Sequence, residues 1–300
     1  MFEVANLDLL QKLMRATFAR RTICYVASSQ VWTCPADGWL IVSCLGAGGS
    51  GAKATPGGAT GGATGGNAGT VGLKRLRASR GDQYTIAIPA GGASPNAHGN
   101  GNSGGTLTVQ GPGVNISIPG GPGGVVGGVG AQNPESEDPT GLDWFIKSAR
   151  NKIMSGSFYG GGAAPALLIG GASHAAGDPS GASVSGTSSS LFGRSPFGDA
   201  DAATDPQDAS HCWLLVDVSG ARAQRDRSGS VVARSGVGGA GGADGGFGGG
   251  GGGALNAYSA GAGGAGAGGG GCLRTDYSGQ GLSGAGGAGF VTLELLEAQP

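Results

Sequence analysis

The first apolar pattern in the chain has helical spacing. Within residues 6–18, Leu7, Leu10, Leu13, Met14 and Phe18 share one face of a 3.6-residue period, and Asn6 stands where an N-cap belongs. The pattern predicts one amphipathic helix, docked either on its own domain or on another protein. From Thr22 the period changes to two. Apolar runs at 22–26, around Trp32, at 39–45, 83–88, 106–109 and 114–118 predict half-buried antiparallel strands, with Tyr84, Ile86 and Ile88 alternating in the fourth. The Pro35-Ala36-Asp37-Gly38 turn between the Trp32 and Trp39 segments predicts a hairpin. Further strands are expected at 166–169, 212–218, 231–232 and 289–296. A second helix is expected at about 140–153, opened by Asp138-Pro139, with Leu142, Phe145, Ile146, Ala149 and Ile153 on one face. The organisation predicted is an attachment helix at 1–21 and a β domain at 22–300, with a helical insertion at about 138–154.

Between the strands the chain is dominated by glycine. Of 300 residues 70 are glycine and 14 proline, a share that usually marks a low-complexity chain, yet no Gly-X-Y period is present. Tracts occupy 46–69, 119–130, 160–172 and 237–271, the last holding 20 glycines in 35 residues. Ordering glycine backbone costs roughly 1–2 kcal/mol per residue, and no side chain is there to offset it. Backbone hydrogen bonds between segments packed closer than any Cβ allows must do so. Either bundled polyglycine helices of three residues per turn or tightly packed extended loops meet that requirement.

Charge removes several functions. A net charge of −1 offers no counterion-release term for nucleic acid, so no nucleic-acid partner is expected. Residues 1–21 contain Glu3 and Asp8 and no unbroken apolar core, and are not expected to act as a secretory or mitochondrial signal. The five cysteines, Cys24, Cys34, Cys44, Cys212 and Cys272, have no Cys-x-x-Cys spacing and read as reduced thiols, not as zinc ligands.

The motifs that resemble chemistry lack their context. Gly46 to Gly51 spells G-x-G-x-x-G after a strand, but Pro56 follows where a helix should open, and no acidic residue occurs between Asp37 and Asp82. Lys53 sits one place late for a phosphate-binding loop. His98, His174 and His211 have no positioned nucleophile. Asp199, Asp201, Asp205 and Asp208 lack the glycine and glutamate of a calcium loop, and can pair with Arg222, Arg225, Arg227 and Arg234. The chain is not expected to be an enzyme or to need a cofactor. A polysaccharide hydrolase would need paired carboxylates in apolar strands, and an extracellular ice-binding module fits poorly with the odd cysteine count.

The order of parts resembles the glycine-rich domain of bacteriophage tail-fibre and tail-tip proteins. Trp32 to Gly38, the strand Trp39 to Gly49 ending in Gly-Ala-Gly-Gly, the run Gly81 to Gly92 and the closing Gly284 to Glu294 carry the likeness, which spans about Thr22 to Glu297. It implies a mainly β fold: an antiparallel β-sandwich or jelly-roll-like core with polyglycine-II-type segments. It also implies a virion protein, made in the host cytoplasm, at the tip of a tail or fibre. Its partners would be other phage tail proteins, through the N-terminal helix, and a bacterial surface receptor such as a pilus, lipopolysaccharide or an outer-membrane protein; a homotrimer is compatible with this. The alternative is a structural tail-tip or baseplate component without receptor contact. Among the aromatics set in glycine, Tyr258 and Tyr277 are the candidate receptor contacts because their hydroxyls can meet a sugar or an amide. Phe247 is a third, with a stapling role in the bundle as its competing reading.

Overall fold

The computed structural model describes residues 20–54, 62–128, 130–148, 150, 224–225, 231–233, 254–255, 259–273 and 282–297. Within them the protein is mainly β, built on antiparallel sheets, and no described residue is helical. The larger sheet has the order β1 (Arg20–Val26), β16 (Phe290–Glu297), β3 (Gly38–Leu45), β6 (Val71–Ala78) and β11 (Trp144–Ile146). A second sheet has the order β2 (Gln30–Thr33), β7 (Gln83–Ala87), β8 (Leu107–Gly111) and β9 (Val114–Ile118). Three smaller pairings complete the set. β14 (Ala254–Leu255), β15 (Cys272–Leu273) and β4 (Lys53–Ala54) run parallel, while β10 (Val126–Gly127) pairs with β5 (Gly62–Ala63) and β12 (Gln224–Arg225) with β13 (Val231–Ala233).

Alternation explains the two main sheets. On β3, Leu40, Val42 and Cys44 are buried while Trp39, Ile41 and Ser43 are half-exposed; on β16, Val291, Leu293 and Leu295 are buried. These side chains share one cluster with Tyr84, Ile86, Leu107, Val109, Ile116 and Ile118 of the second sheet. Full burial of each large side chain contributes roughly 1.5–3 kcal/mol. The pairing of Cys24 with Leu293 and of Val42 with Leu293 ties both ends of the described chain into this core. On the outer face Trp39 lies against the guanidinium groups of Arg75 and Arg77, 4.3 and 4.4 Å from its ring centre. Burial pushes the Cys44 thiol up to about 12; burial, followed by the nearby Asp82 charge, pushes the Tyr84 hydroxyl up to about 12.

Two sequence expectations are overturned. The Trp32 and Trp39 segments do not form a hairpin: β2 pairs with β7, and β3 lies between β16 and β6. The Pro35 turn carries the chain from one sheet to the other. It is held to the neighbouring turn by Cys34 N–H donating to Asp82 O, Gly81 N–H to Cys34 O, and Arg80 N–H to Asp37 Oδ1, each at 2.8 Å. Trp32 then packs on Tyr84, with ring centres 5.8 Å apart.

The helix expected over 138–154 is absent from its described part. Trp144–Ile146 is a strand that pairs with Val71–Leu73 and covers an edge of β6 whose backbone groups would otherwise lack partners. Leu142, placed on the apolar face of that helix, instead packs over Gly72, where any Cβ would meet its side chain. Ala149 and Ile153 lie outside the described residues, as do 166–169, 212–218 and residues 6–18. β6 itself was not expected: Lys74, Arg75 and Arg77 break its apolar alternation, and Leu76 and Ala78 are the β6 side chains that join the shared core.

Candidate functional site

Beyond Leu45 the chain leaves the sheet as Gly46–Lys53, and its hydrogen bonds repeat every three residues. The N–H groups of Gly46, Gly49 and Ala52 donate to Thr70, Asn67 and Thr64 (2.8, 2.9 and 2.9 Å). Those of Gly48 and Gly51 donate to Gly287 and Gly284 (2.9 Å each), and those of Ser50 and Lys53 to Asn102 and Gly99 (2.9 and 3.0 Å). In return, the carbonyls of Ala47 and Ser50 accept from Gly121 and Gly124, those of Gly49 and Ala52 from Gly269 and Cys272, and that of Gly48 from Gly92. One buried segment is thus bonded to six surrounding stretches of chain. A period of three, with bonds radiating to neighbours, is the geometry a glycine-rich backbone needs to satisfy itself without side chains.

Close approach dictates the composition here. A Cβ on Gly48, Gly49 or Gly51 would meet the carbonyls of Ala267, Pro122 or Gly270 well under 3.0 Å. The run Gly46 to Gly51 that spells a dinucleotide motif is therefore the centre of this lattice, and most of its amides are already committed. Lys53 does not serve a phosphate either. Its side chain is buried, and Nζ donates to Asn96 O at 3.2 Å.

Ser50 and Lys53, three residues apart, both hold the segment 93–102. Ser50 Oγ accepts from Asn102 N–H (2.8 Å), Asn102 Nδ2 donates to Ala93 O (2.7 Å), and Ser94 Oγ donates to Ser283 O (2.6 Å). On another side, Asn133 is buried and hooks the 131–148 stretch onto the lattice. It accepts from Thr64 Oγ1, and its Nδ2 donates to Gly65 O and Asn67 Oδ1, each at 2.8 Å. The sequence pattern does not single out Ser50 or Asn133 and offers Lys53 only as a near miss for a phosphate loop; the spacing of three between Ser50 and Lys53 was the available signal.

The lattice has a base at the sheets and a far end. At the far end β14, β15 and β4 run parallel, with Leu255, Leu273 and Ala54 in register. The three strands therefore point the same way. Residues 55–61 follow Ala54, Tyr258 follows Leu255 by three positions, and Tyr277 follows Leu273 by four. Tyr258, Tyr277 and Phe247 themselves lie outside the described residues, as do Leu7, Leu10, Leu13, Met14 and Phe18. Among the described residues, no three His, Cys, Asp or Glu side chains converge as metal ligands; Asp199, Asp201, Asp205 and Asp208 are outside them. Cys34 and Cys44 are buried free thiols, Cys24 is half-buried, and Cys272 is buried. No protein-family model and no curated protein sequence matches this chain.

Proposed function

We propose that this chain is a phage tail-tip or tail-fibre protein that attaches the virion to a bacterial surface receptor. In this reading the two main sheets are an antiparallel sandwich or jelly-roll-like base, and the lattice is a bundle of polyglycine-II helices that holds recognition loops away from it. The observation that supports the reading is the parallel β14–β15–β4 pairing, in which three separate strands point toward the same end of a closely hydrogen-bonded glycine-rich body. Rigid scaffolds presenting clustered loops are a common way to build recognition surfaces. The amphipathic segment 6–18 is the attachment to other tail proteins, and Tyr258 and Tyr277 are the receptor contacts, with Phe247 beside them.

The exposed Ile23 and Tyr25, on the outer face of β1 directly after that segment, favour a second reading in which the chain only joins virion proteins. Adsorption separates the two. Tyr258→Ala and Tyr277→Ala are expected to reduce adsorption of virions to host cells while melting temperature and incorporation stay unchanged. Normal adsorption by virions lacking the whole chain sinks the receptor reading and leaves the structural one.

A further inference from the structure

A groove of about 380 Å³ runs along the lattice beside the stretches 100–106 and 119–125. That volume lies within the range of roughly 300–1,000 Å³ usual for small-molecule sites. Its floor is two antiparallel stretches joined by Gly101 N–H to Gly124 O (2.8 Å) and Gly104 N–H to Gly121 O (3.0 Å). Because the period is three, each stretch sends every third side chain to the groove. One contributes Asn100, Ser103 and Thr106; the other contributes Pro119, Pro122 and Val125. With a rise of about 3.1 Å per residue, successive rungs stand about 9 Å apart, close to the length of a disaccharide unit.

The chemistry of the rungs is divided. Asn100 Oδ1 accepts from Val126 N–H at 2.9 Å, which orients the amide and leaves its NH2 to donate elsewhere. Ser103 and Thr106 are exposed, and neither hydroxyl has a partner among the described residues. Opposite them the half-buried Pro119 ring and Val125 side chain offer apolar surface, with Pro122 buried between them. The facing wall is Pro134, Glu135 and Glu137. Lys147 Nζ bonds Glu135 Oε1 (2.9 Å) and Asp138 Oδ1 (2.8 Å), and that bond holds the Glu135 carboxyl below its ordinary range. Glu137 has no ion pair among the described residues, so the rim carries an uncompensated negative charge.

We propose that this groove binds an amine-bearing oligosaccharide. The hydroxyls of the sugar would bond the Asn100, Ser103 and Thr106 ladder, its C–H faces would lie on Pro119 and Val125, and its amine would meet Glu137. An acidic sugar would face Glu135 and Glu137 and be repelled. The inference rests on the receptor-binding reading and names a second contact for it.

The test is isothermal titration of the full chain with three probes: a glucosamine tetrasaccharide, its N-acetylated counterpart and a galacturonate tetrasaccharide. The glucosamine probe is expected to bind tightest and the galacturonate probe not at all. Glu137→Gln should weaken glucosamine binding about tenfold, and Ser103→Ala with Thr106→Ala by a similar factor, with melting temperature unchanged because all three side chains are exposed. No binding of any probe, equal binding of the N-acetylated form, or binding that both variants leave intact overturns the proposal. The titration does not depend on infection. Glycan binding in a chain whose removal leaves adsorption normal sinks the receptor reading alone, whereas failed titration with adsorption still lost in Tyr258→Ala sinks the groove alone.

Discussion

Gly51 faces the carbonyl of Gly270 so closely that a Cβ on Gly51 would overlap its oxygen. The neighbours in that contact are both backbone, so neither can turn aside as a flexible side chain would. Gly51→Ala is therefore expected to cost about 1–3 kcal/mol or more, the range for overpacking a rigid interior. Gly128→Ala, at a position with nothing within 4 Å of the added Cβ, is the control and should be nearly neutral. Thermal melting of the two variants decides; equal melting points would mean that the lattice is looser than its hydrogen bonds indicate.

Asn133 makes three buried hydrogen bonds, with Thr64, Gly65 and Asn67, and its loss would break all three. Asn133→Leu should destabilise the protein by about 1–3 kcal/mol. Urea unfolding measures it, and a midpoint equal to that of the unaltered chain would show that the hook is dispensable.

Alkaline pH should unfold the protein through two buried acids. The Cys44 thiol rises from 9.0, and the Tyr84 hydroxyl from 10.0, each to about 12 in the fold. Both pKa values are raised on folding, so the stability tied to their neutral forms is complete below about pH 9. It is lost as pH climbs toward 12, because the unfolded chain ionises first. Cys44→Ala removes one of these groups and should flatten the fall in stability between pH 9 and 12. A curve with unchanged slope counts against Cys44 as a contributor.

Lys53 is buried, and among the described residues its Nζ donates to Asn96 O. Lys53→Met keeps the volume and removes the charge, so melting temperature should hold or rise. Hydrogen exchange across residues 94–98 should accelerate once that tether is gone. Unaltered exchange would show that the backbone pairing of Lys53 with Gly99 alone fixes the segment.

Much of the core was legible because period two leaves a direct trace: Leu40, Val42, Tyr84, Ile86, Ile116 and Ile118 all lie inward as their alternation indicates. Edges were less legible. Trp144–Ile146 carries an apolar spacing that fits a helix, and the unfilled rim of β6, which no local pattern encodes, makes it a strand. β6 escaped notice for the opposite reason, since its charges serve an outer face where Arg75 and Arg77 flank Trp39. The Trp32 turn has the residues of a hairpin, but turn chemistry does not choose which strand is paired next.

By itself the sequence determined that the chain is mainly β and that its glycines must satisfy one another through backbone bonds. Those follow from side-chain period and from the absence of Cβ atoms, which are local properties. Only the tertiary structure decided which segments meet. Glycine carries no side chain to specify a partner, so nothing local distinguishes 62–70 from 99–105 or 282–289 as a neighbour of 46–53. The choice is made at the base, where the register of β3 with β16 and β6 sets the positions from which those segments run side by side.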